Sequence, residues 1–275
     1  MTTVEVSAPA KVNLTLHVTG RRPDGYHLLD SLVTFVDVGD TVLVRPADTL
    51  SLRVTGPFSD AVSVQDNLVL DAARLIGVPA EITLDKRLPV AAGIGGGSAD
   101  AAATLIALSK MSGRPIPNAN AQLQLGADVP ACVAGGVLRM QGIGDKIKVL
   151  DGSPLTLPMV LVNPGAPVST PAVFSALRRR ENAPQPVVIP ACTAPDFLDW
   201  LAKQRNDLEG PAQTLAPVIG EVLSALAATP GAAISRMSGS GATCFALYRS
   251  KQDAANAVAD IRRDHPGWWA EGSSL

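Results

Sequence analysis

The sequence predicts an α+β protein of two domains. Segments typical of strands and segments typical of helices are mixed along the chain, and no repeat of fixed period joins them. A length of 275 residues suits one large domain or two packed ones. Turn-forming residues at 151–154, with prolines following, predict an N-terminal domain over residues 1–150 and a C-terminal domain over residues 151–275.

The elements of the first half follow from local composition. Enrichment in β-branched residues predicts strands, which we place at residues 4–6, 12–18, 41–44 and 81–88. Helical spacing of apolar residues predicts two helices, over residues 66–76 and 98–111. Gly113 comes just after the second helix, as expected for a residue that ends one.

The second half alternates in the same way. Strands are predicted over residues 159–162, 233–237 and 243–248. Helices are predicted over residues 171–179, 196–204, 211–228 and 252–263. A proline-rich loop separates the first two of these helices, and a short Gly/Ser loop joins the last two strands.

Composition excludes several classes of protein. The 23 basic and 25 acidic residues leave a net charge of −2, and no Lys/Arg block is present, which argues against a nucleic-acid partner. The mean hydropathy is +0.22, yet apolar stretches such as residues 101–108 are far shorter than the roughly 18 residues of a membrane span. Three widely spaced cysteines and the lack of a signal-peptide pattern favour the cytoplasm. Nothing in the sequence bears on oligomeric state.

The main chemical signal is a glycine-rich loop, Pro-Val-Ala-Ala-Gly-Ile-Gly-Gly-Gly-Ser at 89–98, between a predicted strand and a predicted helix. Its glycines allow the backbone to approach a ligand closely. Ser98 is suited to be the N-cap, and Asp100 is expected in the first turn. Free N–H groups and the positive end of a helix dipole attract anions, so the loop predicts a phosphate site.

Two common phosphate motifs do not fit this loop. A Walker A motif needs a lysine at its end, and none lies between Lys86 and Lys110. A dinucleotide fingerprint needs a third glycine where this chain has Ser98. The alternative is a tight strand–helix turn without a ligand, which would not need so many glycines.

A second loop, Met-Ser-Gly-Ser-Gly-Ala at 237–242, lies between two predicted strands. A plain hairpin turn explains it equally well by itself. Beside the first loop, its glycines indicate a second set of backbone donors around a polyphosphate.

Four ionisable or aromatic residues are also candidates. Lys11 stands at the entry to an apolar strand, where an ordinary surface lysine is the alternative. Asp128 lies among small apolar residues and therefore needs a cationic partner or a pKa raised by burial, unless it only caps a helix. Tyr26 and His27 follow an Asp-Gly turn and form a polar aromatic cluster in a loop, either for binding or for packing.

These motifs together resemble the GHMP small-molecule kinases. The matching segments occur in order at residues 9–14, 22–27, 66–69, 94–102, 126–130, 206–209 and 238–242. The resemblance therefore extends from about residue 7 to residue 245. It implies an N-terminal domain like domain 2 of ribosomal protein S5, a ferredoxin-like C-terminal domain, and an active site between them.

The resemblance implies that ATP and Mg²⁺ are used. It assigns the nucleotide phosphates to the glycine-rich loop through Pro89, Ala92, Gly93, Gly95, Gly96, Gly97 and Ser98. Ser98 is the implied contact to Mg²⁺ or a phosphate, and Asn67 is implied to lie near the adenine. Asp128 matches the catalytic base of the family and Lys11 the lysine paired with it.

The runs Arg-Pro-Asp-Gly-Tyr-His at 22–27 and Asn-Asp-Leu-Glu at 206–209 narrow the resemblance to members that phosphorylate a small cytidine diphosphate substrate. These members transfer the γ-phosphoryl group of ATP to the 2-hydroxyl of a methylerythritol unit, in the non-mevalonate route to isoprenoids. Tyr26 and His27 are implied to stack on and hydrogen-bond the cytosine, with Phe174 on its other face. The other implied substrate contacts are Asn13, Thr170, Gly239 and Ser240.

The chain departs from the family pattern in two places. Ala99 follows Ser98 where many members have a second serine, and Leu28 follows His27 where an acidic residue is common. Two other functions fit less well. A homoserine or mevalonate kinase would not need the Asp-Gly-Tyr-His run, and a non-catalytic nucleotide-binding regulator would not need Lys11 and Asp128.

Overall fold

The computed structural model describes residues 3–150, 156–186 and 193–275. The predicted domain boundary at residue 151, its turn at 151–154 and Cys192 lie outside these ranges. Contacts divide the chain into two compact units. Unit 1 comprises Met1–Lys11, Val38–Val90 and Gly95–Gly135, and unit 2 comprises Val12–Asp37, Ala91–Ile94 and Gly136–Leu275.

The strands and helices are numbered in chain order. The strands are β1 Val4–Asn13, β2 His17–Arg21, β3 His27–Pro46, β4 Ser51–Thr55, β5 Ala80–Asp85, β6 Leu138–Gly142, β7 Lys146–Val149, β8 Pro158–Asn163, β9 Ala232–Met237, β10 Cys244–Tyr248 and β11 Trp269–Ser274. The helices are α1 Leu68–Ile76, α2 Gly96–Ser112, α3 Ala119–Leu125, α4 Val129–Ala134, α5 Thr170–Ser175, α6 Ala194–Ala202, α7 Glu209–Leu215, α8 Val218–Ala228 and α9 Lys251–Asp264.

Unit 1 consists of paired strands and of helices that pack against one another. The second half of β3 pairs antiparallel with β5, from Thr41 opposite Asp85 to Pro46 opposite Ala80, and β4 pairs parallel with β5. Helix α2 packs against α1 and α4. Its buried face is made mostly of alanines, with Leu105 and Leu108, so the backbones of neighbouring helices can approach closely.

Unit 2 contains a four-stranded antiparallel sheet in the order β11-β8-β10-β9. Strand β8 is buried along its whole length, as expected for a strand with neighbours on both sides. The first half of β3 pairs antiparallel with β2 and with β6, and β6 pairs with β7. Helices α8 and α9 contact the four-stranded sheet.

Several predicted elements have other bounds in the structure, and three of them differ most. The helix predicted over 211–228 is two helices, α7 and α8, because Pro217 has no N–H to donate and disfavours helical backbone at Ala216. The strand predicted over 41–44 is the end of the much longer β3. The strand predicted over 12–18 is split between β1 and β2, and residues 14–16 lie outside both.

Among the described residues, no helix combines the length and the apolar composition required to cross a membrane.

Candidate active site

The glycine-rich loop ends in the start of α2, which belongs to unit 1. Gly95 is the N-cap, with a φ of 65°, and no side chain caps the helix. That backbone conformation is readily adopted only by glycine, so the helix begins before Ser98. The predicted N-cap role of Ser98 is therefore wrong: it is the third residue of α2. Asp100 also lies beyond the first turn.

The absence of a capping side chain leaves the first N–H groups of α2 available. In a helix, these donors have no partner within the helix itself. The helix dipole adds a partial positive charge at the same end. The start of α2 thus has the properties of the predicted phosphate site, whereas Pro89 lies buried before it.

Lys11 and Asp128 form an ion pair in unit 1. Lys11 lies in β1, and its Nζ is 2.9 Å from Oδ2 of Asp128, the residue that precedes α4. The Lys11 side chain is 7% exposed and that of Asp128 is 34% exposed. Asp128 makes no capping hydrogen bond, so its carboxylate is not used to cap α4. The predicted cationic partner of Asp128 is therefore present.

The ion pair and the glycine turn are adjacent within unit 1. An ideal Cβ added to Gly95 would lie 3.2 Å from Cβ and 3.3 Å from Cε of Lys11. A Cβ added to Gly126, two residues before Asp128, would lie 3.6 Å from Oγ of Ser98. Lys11, Asp128, Gly95 and Ser98 are thus brought together by the packing of β1, α2 and α4.

A buried cluster of three charged residues was missed by sequence reasoning. Lys86 Nζ donates to Oδ2 of Asp40 at 2.6 Å and to Oδ2 of Asp100 at 2.7 Å. Burial raises the pKa of Asp100 to about 7, although the charge of Lys86 opposes this change. Burial lowers the pKa of Lys86, but the two carboxylates outweigh it and leave that pKa raised. The partners lie 46 and 14 residues from Lys86 in the sequence, so no local pattern predicted the cluster.

Asn67 has a local structural role in unit 1. It is the N-cap of α1, where its side chain accepts a hydrogen bond from the N–H of Val69 at 2.9 Å. Its Nδ2 donates to the carbonyl of Ser63 at 2.8 Å. A contact of Asn67 with adenine stays a prediction.

In unit 2, Ala92 and Gly93 pack against the second Gly/Ser loop. The N–H of Thr243 donates to the carbonyl of Ala92 at 3.1 Å, and Ser238 Oγ donates to the carbonyl of Gly93 at 3.3 Å. A Cβ on Gly93 would lie 2.5 Å from the carbonyl oxygen of Gly241, so this close approach requires glycine. The second loop is a turn between the paired strands β9 and β10. Through these hydrogen bonds it also fixes Ala92 and Gly93 of the glycine-rich loop.

Hydrogen bonds fix the second loop from several sides. Asn206 Nδ2 donates to the carbonyls of Met237 and Gly239, both at 2.8 Å. The N–H of Asn13 donates to Ser238 Oγ at 3.0 Å, and Asn13 Nδ2 donates to Ser31 Oγ at 2.8 Å.

Ser240 joins this loop to the start of α5. Its Oγ is 2.7 Å from Oγ1 of Thr170, and either hydroxyl can donate. Thr170 is therefore a neighbour of Ser240 in unit 2, and Gly239 directly precedes Ser240 in the chain.

An aromatic pair in unit 2 includes Phe174, which lies one helical turn after Thr170 in α5. The rings of His27 and Phe174 are stacked, with centroids 4.8 Å apart and an interplanar angle of 22°. Tyr26 is 62% exposed, so its ring is accessible to a ligand. Nε2 of His27 is buried and has no hydrogen-bond partner among the described residues. Burial, together with the charges of Arg21 and Arg180, lowers the pKa of His27.

The described residues contain no group of three or more His, Cys, Asp or Glu side chains arranged to hold a metal ion. Mg²⁺ binds through few protein oxygens when it is carried on substrate phosphates. Ser98 makes no side-chain hydrogen bond within the described ranges and is only partly buried. Its hydroxyl therefore suits a site of this kind, although no carboxylate cage surrounds it.

Known proteins similar to this chain belong to one family of kinases. The chain matches the family models "GHMP kinases N terminal domain" over residues 67–136 and "GHMP kinases C terminal" over residues 189–267. It is 56% identical to a 4-diphosphocytidyl-2-C-methyl-D-erythritol kinase of Cereibacter sphaeroides, with 98% of this chain and 99% of the relative covered.

Solved structures have the same fold. A crystal structure of 4-(cytidine 5'-diphospho)-2C-methyl-D-erythritol kinase matches with a TM-score of 0.80 at 34% identity, covering 98% of this chain and 99% of the other. A homoserine kinase of Cytophaga hutchinsonii matches with a TM-score of 0.69 at 19% identity, covering 99% and 94%. The second likeness concerns the fold alone. The predicted two-domain α+β architecture is confirmed.

Proposed function

Because the chain belongs to the GHMP kinase family, we propose that it phosphorylates the 2-hydroxyl of 4-diphosphocytidyl-2-C-methyl-D-erythritol with ATP. The observation that carries this proposal is the Lys11–Asp128 ion pair beside the uncapped start of α2. The identity of 56% over nearly the whole chain supports the substrate. The product would be the 2-phosphate, with ADP released, as a step of the non-mevalonate route to isoprenoids in the cytoplasm.

Asp128 is the proposed general base. The acceptor hydroxyl gives its proton to the Asp128 carboxylate while its oxygen forms a bond to the γ-phosphorus, and the bond from that phosphorus to the bridging oxygen of ADP breaks. Phosphoryl transfer passes through a loose transition state, so the protein contributes mainly positioning and electrostatic stabilisation. Partial exposure of Asp128 leaves its carboxylate accessible to a substrate.

Lys11 is proposed to orient Asp128 and to offset negative charge on the acceptor oxygen and the phosphoryl group. Its burial and its 2.9 Å contact keep the ammonium in one position. A pre-positioned charge needs little rearrangement as the reaction proceeds, which is why such groups stabilise transition states effectively.

The start of α2 is the proposed phosphate site. The N–H groups that follow Gly95 are free to donate to phosphate oxygens. Mg²⁺ would be held by the Ser98 hydroxyl and the phosphates of ATP, and when bound it neutralises phosphate charge. Asn67 at the start of α1 is the proposed neighbour of the adenine.

Tyr26, His27 and Phe174 are proposed to bind the cytosine. The exposed Tyr26 ring offers a stacking surface, and base–aromatic stacking contributes about 1–3 kcal/mol per base. Most buried polar atoms in proteins form a hydrogen bond, but Nε2 of His27 has no partner among the described residues. This atom is therefore proposed to form a hydrogen bond with the base. Asn13, Thr170, Gly239 and Ser240 are the further proposed contacts with the substrate.

An assay of ADP release with a panel of acceptors tests the function. We expect release with 4-diphosphocytidyl-2-C-methyl-D-erythritol and only background release with homoserine, with mevalonate or without an acceptor. Faster release with homoserine or mevalonate would assign the chain to another kinase of the family. ATP binding without release for any acceptor would instead favour the nucleotide-binding regulator.

A further inference from the structure

The Lys86 cluster lies directly behind the start of α2. The three side chains come from different elements: Asp40 from β3, Lys86 from the segment after β5, and Asp100 from α2. All three residues are at least nine-tenths buried, with exposures of 0% for Asp40 and 3% for Lys86 and Asp100. The other oxygen of Asp40 accepts from the N–H groups of Arg87 and Leu88, at 2.6 and 2.8 Å.

The ammonium group of Lys86 lies next to Gly96, in the turn that is proposed to bind the phosphates. An ideal Cβ added to Gly96 would lie 3.1 Å from Lys86 Nζ and 3.8 Å from Asp40 Oδ2. Gly96 is the first residue of α2, so the positive charge lies beside the backbone N–H groups assigned to the phosphates. A side chain at this position would press against the ammonium.

Packing alone does not explain the cluster. Burying charged groups is costly, and apolar side chains of similar volume could join β3, β5 and α2 without that cost. Asp100 Oδ1 is buried without a hydrogen-bond partner among the described residues, so the cluster is not even fully satisfied. What apolar residues could not provide is a set of directional hydrogen bonds that fixes the start of α2 against β3.

We propose that Lys86 is a positioning residue for ATP, which ties the start of α2 to β3 and so fixes the turn that receives the phosphates. Asp40 and Asp100 hold the ammonium there from two sides. The inference rests on the proposed function, because it assumes that the start of α2 binds the nucleotide. The carboxylates of Asp40 and Asp100 balance the ammonium, so Lys86 acts on ATP by holding the N–H groups of the turn in place and not by adding net positive charge.

The test compares ATP dissociation constants, measured by calorimetry without acceptor, in folded variants. Lys86→Met removes the donor that joins α2 to β3 and is expected to weaken ATP binding by about tenfold, with KM for the acceptor nearly unchanged. Asp100→Asn keeps a side-chain oxygen that can accept from the ammonium, so the tie is retained and ATP binding should stay close to that of the wild type. Lys110→Met, in the last turn of the same helix, removes an exposed charge and is the matched control.

A double variant covers the case in which Lys86→Met does not fold. Lys86→Met with Asp100→Asn removes one positive and one negative group, so no second carboxylate is left unpaired. It should still bind ATP more weakly than Asp100→Asn alone.

The inference would be overturned by wild-type ATP affinity in the folded variants that lack Lys86, or by an equal loss of affinity in Asp100→Asn. Equal losses for ATP and for the acceptor would also overturn it, since they indicate general disruption. Failure of the wild type itself to bind ATP would instead refute the proposed function.

Discussion

Lys11 Nζ lies 2.9 Å from Asp128 Oδ2, although Lys11 belongs to the first sequence segment of unit 1 and Asp128 to the last. Strand β1 carries the lysine, and the turn before α4 carries the aspartate. Gly95 packs against the Lys11 side chain, so the start of α2 and the ion pair have a common support. This relationship leads to the first predictions.

Asp128→Asn should reduce kcat by about 100- to 10,000-fold, because an amide cannot accept the proton of the acceptor hydroxyl. ATP affinity should change little, since the phosphates are assigned to α2. Steady-state kinetics and calorimetry check both values, with the exposed Asp60→Asn as the control. Wild-type turnover in Asp128→Asn would end the assignment of the base.

Lys11→Met should also lower kcat, because Asp128 loses the group that orients it. Residues that act as a unit are not additive, so the variant with both Lys11→Met and Asp128→Asn should be little slower than Asp128→Asn alone. Kinetics of the full double-mutant cycle measure this coupling, with Lys251→Met as the surface control. Fully additive losses would show that the two residues act independently.

Gly95→Ala should disturb the Lys11–Asp128 ion pair through the contact of residue 95 with Lys11. Its φ of 65° costs an alanine about 1–2 kcal/mol, and the new methyl group would contact Lys11. We expect a lower free energy of unfolding and a larger loss of kcat than that of Gly113→Ala, where a similar φ of 75° has no atom nearby. Denaturant unfolding and kinetics compare the two variants. If Gly95→Ala and Gly113→Ala lose the same amount of kcat, the contact between residue 95 and Lys11 does not matter for turnover.

Tyr26→Ala should raise KM for the cytidine substrate by about tenfold, the value of one stacked base, and leave KM for ATP unchanged. Tyr26 is 62% exposed, so the fold should tolerate the change. Tyr26→Phe retains the ring and should behave as the wild type. An equal increase in both KM values would indicate that Tyr26 has a structural role instead.

His27 should make substrate binding sensitive to acid. Burial and the charges of Arg21 and Arg180 lower its pKa below the usual 6.5, so the ring is neutral at pH 7 and gains a proton only in more acidic solution. KM for the cytidine substrate should therefore be flat between pH 7 and pH 8 and rise below the usual pKa of histidine. His27→Gln should lose this dependence. A rise in KM that begins above pH 7 would contradict the lowered pKa.

The position of most elements could be predicted from local sequence. The glycine-rich loop, the helix behind it and the strands β8, β9 and β10 follow from composition and periodicity over a few residues. Pro217 shows where such reasoning failed, since the apolar pattern continues across it while the backbone cannot. The start of α2 was predicted at Ser98, but the helix begins after Gly95. The backbone of Gly95 is in the left-handed region, and this conformation ends the loop without a capping serine side chain.

By itself the sequence determined the fold class, the glycine-rich loop and the candidates Lys11 and Asp128, because each of these depends on residues close together in the chain or on a recognisable motif. Only the tertiary structure decided that Lys11 pairs with Asp128, that His27 stacks on Phe174, and that Lys86 lies between Asp40 and Asp100. The physical reason is distance along the chain. A charged side chain is buried only where the fold brings a partner to it, and local composition does not specify that partner.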